Sequence, residues 1–162
     1  MDRNLENQTL HTSTPDADIK QKISKLLESQ QAAVLSTMEA RQPYSCLVAY
    51  AVTSDLKTLI FATPKATRKF VNITADPCVS LLVDNRKNDP TDFQETSALT
   101  IQGNAYAVSG PERLNYKTLY LQNQPSLQNF TDDPTTVFVK VVIDEYILVN
   151  RFQHVETLRF NG

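Results

Sequence analysis

Phe61-Ala62-Thr63-Pro64-Lys65-Ala66-Thr67-Arg68-Lys69-Phe70 joins an apolar, strand-like run to a short helical pattern, with two adjacent cations where the helix begins. A helix N-terminus carries partial positive charge and unpaired N–H groups, so Arg68 and Lys69 are locally unfavourable there. Thr67 as N-cap followed by both cations becomes a coherent unit once an anion sits among them. Helix end, hydroxyl and side chains together would stabilise a phosphate, which predicts a phosphorylated ligand. The plainer reading is a pair of solvated cations in a first turn. The position of the pair, directly after the Leu59-Ile60-Phe61 strand, favours the ligand.

Working outward, the chain reads as short strands with a few helices. Thr14-Pro15-Asp16 is a helix start, and Ile19, Ile23, Leu26 and Leu27 recur at helical spacing to about Ser29. Strands are expected over Ala32–Met38, Pro43–Val52 and Lys57–Thr63, with Glu39-Ala40-Arg41-Gln42 as a hairpin loop and Thr53-Ser54-Asp55 as a turn. The helix from Thr67 turns Phe70, Val71 and Ile73 inward and stops at Asp76-Pro77, since the residue before proline disfavours helix. Cys78–Val83 is a strand, and Asp84–Thr96 a long loop of the kind that is functional or mobile.

In the next strand Leu99, Ile101, Ala105 and Ala107 share one face, and Thr100, Gln102, Asn104 and Tyr106 the other. Gly103 within it marks a bulge or a close backbone approach. Gln102 and Asn104 could bond a ligand or partner, or simply be solvated. Pro111 opens a helix to about Gln122, with Leu114, Tyr116, Leu119 and Tyr120 as candidate buried positions. Val137–Ile143 and Tyr146–Phe152 are two closing strands divided by a turn near Asp144-Glu145. The expected fold class is mainly β with flanking helices (α+β), an antiparallel barrel-like sheet, with residues 1–13 a flexible tail and residues 14–162 a single domain.

Composition limits the function. The 162 residues are 41% hydrophobic and 21% charged, ordinary for a globular protein able to bury a core. A net charge of −2 argues against nucleic acid as partner. No window approaches the roughly 18 apolar residues that span a membrane, and the polar start, Met1 to Gln8, does not read as a secretory signal. The default expectation is cytoplasmic residence without a membrane partner.

Cys46 and Cys78 both lie in apolar runs and are expected to be small buried hydrophobes; two cysteines build neither a disulfide framework nor a four-ligand zinc site. With His11 and His154 the only histidines, no metal site is expected. No nucleophile-elbow pattern accompanies His154.

These pieces in this order resemble the FMN-binding split-barrel family related to pyridoxamine 5′-phosphate oxidase. The resemblance runs from about Gln31 to Phe152. It is carried by Leu35-Ser36-Thr37, Gln42-Pro43-Tyr44, the aromatic-Ala-Thr strand end, Thr67-Arg68-Lys69, Phe70-Val71-Asn72-Ile73, Asp76 to Val83, Ile101-Gln102-Gly103-Asn104-Ala105 and the later Tyr116–Pro125 segment. It implies an antiparallel FMN-binding split β-barrel and a homodimer with the flavin site at the subunit interface. Arg68 and Lys69 match the phosphate-binding pair, Thr67 the adjacent hydroxyl, and Thr63 a Thr at the strand end near the flavin. Ser45, Cys46, Leu47 and Val48 align with the strand that runs along the isoalloxazine ring and ribityl chain. A flavin needs such an apolar wall, backbone partners and cations.

The chain departs from the oxidase proper in two places. Cys46 stands where that enzyme has an Arg, and the C-terminal Arg-x-His-type motif is replaced by Asn150-Arg151-Phe152-Gln153-His154, in which a continuous strand would point Arg151 and His154 to opposite faces. Both argue against pyridoxamine phosphate as substrate. Arg151 could reach the flavin or the partner subunit, or be a solvated edge residue. Tyr44 and Tyr50 share one strand face and could cover a substrate or simply pack. The leading reading is an FMN-dependent oxidoreductase acting on a small organic substrate, with no acid–base residue named. The alternative is a non-catalytic flavin or haem carrier, His154 being the candidate axial ligand.

Overall fold

Alternating apolar residues build the sheet, because successive side chains in a strand face opposite sides. In the computed structural model, which describes residues 16–151 and 153–161, Ala33, Leu35 and Thr37 of one strand are buried while Ala32, Val34 and Ser36 between them are more open. The elements are α1 (Asp16–Ser29), β1 (Ala32–Glu39), β2 (Gln42–Ala49), β3 (Ala51–Val52), β4 (Thr58–Pro64), α2 (Arg68–Ala75), β5 (Cys78–Asp84), α3 (Asp92–Glu95), β6 (Ala98–Ala107), α4 (Glu112–Asn123), a 3₁₀ turn (Pro125–Leu127), α5 (Gln128–Asp132), β7 (Thr136–Asn150) and β8 (His154–Arg159).

The sheet order is β2-β1-β5-β6-β7-β4-β3, with β8 also paired to β7. All pairings are antiparallel. Only Tyr50 separates β2 at one end of this path from β3 at the other, so the sheet curls until its ends meet. The long β7 carries β6 along one edge. On its other edge it pairs β4 over Thr136–Val142 and β8 over Glu145–Asn150.

Ile19, Ile23, Leu26 and Leu27 of α1 join Leu35, Leu59, Phe61, Leu81, Ile101, Val141 and Tyr146 in the main core. Each fully buried aliphatic contributes about 1.5–3 kcal/mol relative to exposure. A second cluster packs Tyr120 of α4 against Ile60, Ala62 and Phe138 on the other face of β4 and β7. No helix among the described residues is long and apolar enough to cross a membrane.

Several expectations need correction. The turn foreseen at Asp144-Glu145 is a bulge: Gln102 pairs with Glu145 and Gly103 with Ile143, so Asp144 is the extra residue and β7 runs on unbroken. A Cβ on Gly103 would collide with the Val142 carbonyl oxygen, which explains the glycine. The chain then reverses after Asn150 and returns as β8, a strand the sequence reading lacked. Arg151 therefore lies in a turn, at φ 44°, and not on one strand with His154.

The single strand expected over Pro43–Val52 breaks at Tyr50. Cys78 is exposed, because it opens β5 on the outward phase of that strand. Val71 (59% exposed) and Leu114 (70% exposed) also face outward, because Asn72 and Ile73 carry the buried face of α2, and Tyr120 with part-buried Tyr116 and Leu119 that of α4. Ala107 is exposed too, at the end of β6 beyond the bulge. The expected N-terminal tail, Thr14-Pro15 and Phe152 lie outside the described residues.

Candidate anion site at the start of the second helix

β4 ends at Pro64, and the chain turns at once into α2. Thr67 takes the extended N-cap conformation (φ −82°, ψ 149°), but its hydroxyl makes no capping hydrogen bond. It donates instead to the Pro64 carbonyl at 3.0 Å and lies 2.8 Å from the Thr63 hydroxyl. Thr63 is 1% exposed. The first turn of α2 thus lacks side-chain capping, which is the arrangement that receives anions.

Arg68 and Lys69 leave this helix end toward β2. The Arg68 guanidinium stacks 4.5 Å from the centroid of the Tyr44 ring. Its Nε and Nη2 both donate to Glu39 Oε2, at 2.7 and 2.6 Å. The Lys69 charge acts on the Cys46 thiol: burial pushes that thiol up and Lys69 partly offsets the rise. Tyr44 and Cys46 are two residues apart on the inward face of β2, the first under the Arg68 guanidinium and the second within reach of the Lys69 charge. The buried Asn72 carboxamide, donating to Thr37 Oγ1 of β1 at 3.0 Å, fixes the helix against the barrel.

The other predicted residues divide. Val48 is buried on the same face of β2 as Cys46, whereas Ser45 and Leu47 point outward, Leu47 being 72% exposed. The Ser45 hydroxyl pairs with that of Ser36 at 3.0 Å. Because β2 pairs only with β1 among the described strands, its far edge keeps backbone N–H and C=O groups available along Ser45–Val48. Arg151 is exposed in the β7–β8 turn, apart from the α2 cluster in the sheet order.

Tyr50 is a core residue, 4% exposed, its hydroxyl donating to Leu27 O at 2.7 Å. His154 Nε2 lies 3.6 Å from the buried Glu156 carboxylate. Asn104 donates to Asp144 at 3.2 Å, while Gln102 is exposed. The loop after β5 contains α3 and is organised by Asp92, whose carboxylate accepts the backbone N–H groups of Lys87, Asn88 and Asp89. Sequence reasoning missed Glu39 and Asn72. Asn72 could have been found as the one polar residue on the inner side of an apolar helical face; nothing in the sequence couples Glu39 to Arg68.

The model of the family described as pyridoxamine 5′-phosphate oxidase matches residues 19–150. The chain belongs to that family. No curated protein sequence matches it. Solved structures share the family's split-barrel fold. General Stress Protein 26 from Bacillus anthracis str. Sterne is 24% identical over 88% of this chain and 98% of its own, with a TM-score of 0.66. A FAD-binding protein from Mesorhizobium loti is 17% identical over 78% of this chain and 88% of its own, at a TM-score of 0.63. A heme binding protein from Mycobacterium smegmatis is 13% identical, at a TM-score of 0.76; the match covers 91% of this chain but 59% of that one. These identities speak to the fold alone.

Proposed function

We propose that this protein binds FMN, with the phosphate held by Arg68, Lys69, the Thr67 and Thr63 hydroxyls and the free N–H groups of α2. The observation that carries this reading is the Arg68 guanidinium held over Tyr44 of β2 at the start of a helix without a side-chain cap, with Lys69 next to it in the first turn. The Ser45–Val48 segment would run along the ring and ribityl chain, offering backbone groups on its unpaired edge and the part-buried Cys46 side chain, with Val48 packed in the core behind it. Bound flavin would supply the redox chemistry, making the protein an oxidoreductase on a small organic substrate. The protein's part is to bind, orient and shield.

A homodimer with the flavin site at the subunit interface fits the outer face of the sheet. The cross-strand row Leu47, Val34 and Leu82 sets apolar side chains side by side there. Ser45 and Leu47, which point away from Lys69, would then face the partner, and Arg151 would contribute from the partner's side. We assign residues 14–162 to one such domain, residues 1–13 to a flexible tail, and the protein to the cytoplasm.

The test is the visible spectrum of the purified protein followed by identification of the released chromophore. Two broad flavin bands and released FMN are expected. A sharp Soret band would favour a haem carrier, for which His154 would have to leave Glu156. A colourless protein that takes up neither ligand would overturn both readings.

A further inference from the structure

We infer that Glu39 is the built-in competitor of the ligand phosphate, occupying the Arg68 fork until an anion displaces it. The inference rests on the FMN reading above and extends it to what sets the affinity.

The geometry is specific. One carboxylate oxygen, Glu39 Oε2, accepts from both Nε and Nη2 of Arg68, which is the bidentate edge a guanidinium offers to a phosphate. Glu39 is the last residue of β1 and closes the hairpin opposite Gln42. The two residues of the turn, Ala40 (φ 45°) and Arg41 (φ 74°), both lie in the left-handed region. This tight reversal places the carboxylate beside the turn, against the Arg68 side chain. Tyr44 holds the guanidinium from below, so the fork cannot swing freely to meet a second anion. Glu39 thus supplies to Arg68 in the free protein what a phosphate would supply in the complex.

Both partners are about half exposed, at 53% for Arg68 and 51% for Glu39, so the pair is weak enough to be displaced. Glutamine in place of Glu39 keeps the shape and removes the charge that competes with and repels a phosphate dianion.

The experiment is titration of the full-length protein, freed of any co-purified flavin, with FMN and with riboflavin, which lacks the phosphate, at low ionic strength. The wild type, Glu39→Gln, Arg68→Ala and the Glu39→Gln/Arg68→Ala double variant are compared by quenching of flavin fluorescence. Glu39→Gln should bind FMN about three- to tenfold more tightly, leave riboflavin binding unchanged, and lose its advantage at high salt. The gain should vanish in the Arg68→Ala background. Unchanged or weaker FMN binding by Glu39→Gln would overturn the inference while leaving the FMN reading intact, provided wild type still prefers FMN to riboflavin. A gain that persists without Arg68 would also overturn it, as a general effect of charge. If wild type and Glu39→Gln bind FMN no better than riboflavin, the phosphate assignment fails and the inference with it.

Discussion

Asn72 of α2 donates its side-chain N–H to Thr37 Oγ1 of β1 at 3.0 Å, with Asn72 3% and Thr37 1% exposed. This bond, with Ile73 packed in the core beside it, ties α2 and its first-turn cations to β1. Asn72→Ala leaves the Thr37 hydroxyl without this donor and opens a small void. It should lower stability by about 1–3 kcal/mol and weaken FMN binding although it touches no ligand. Denaturant unfolding and a flavin titration on the same variant check both parts; loss of stability with full FMN affinity would remove the positioning role.

Gly103 and Asp144 together make the bulge that lets β7 bend around the barrel. Gly103→Ala places a Cβ against the Val142 carbonyl. The neighbour is backbone and cannot turn aside, so destabilisation of at least about 1–3 kcal/mol is expected as a shift of the denaturant midpoint.

The β1–β2 hairpin carries two non-glycine residues in the left-handed region. Asn-Gly suits such a turn, so Ala40→Asn combined with Arg41→Gly should stabilise the protein by about 1–2 kcal/mol. A thermal melt that fails to rise would show that other interactions of Arg41 outweigh its strain.

Burial pushes the Tyr50 and Tyr120 phenols up to about 12 and also raises Tyr146. Above pH 10 the unfolded chain releases these protons while the folded chain keeps them, so stability falls as pH rises from about 10 to 12. Tyr50→Phe should reduce that slope. At neutral pH it should instead destabilise by about 1 kcal/mol or somewhat more, because the Leu27 carbonyl loses its 2.7 Å donor. Urea unfolding at pH 7 and pH 11 separates the two effects.

The sheet was legible where one residue decides one strand. Alternation through Leu99, Ile101 and Ala105 located β6, and Gly103 announced its bulge. The same physics hid Asp144: an acidic pair within an apolar run reads as a turn, yet a bulge places one extra polar residue outward without ending the strand. β8 was missed because Arg151 and Gln153 take positive φ without glycine, so no turn residue marked the reversal. The cations of the site were visible as a local motif. Glu39, 29 residues from Arg68, was not, because that pairing exists only once the hairpin and α2 are packed together.

The proposed flavin site depends above all on its hold on the phosphate. FMN should be titrated into the wild type and into the Arg68→Ala/Lys69→Ala variant, with folding of both verified by circular dichroism. Each charge-assisted contact is worth about 1.5–3 kcal/mol, so the variant should lose at least about two orders of magnitude in affinity. Equal retention of FMN by the folded variant would contradict the assignment.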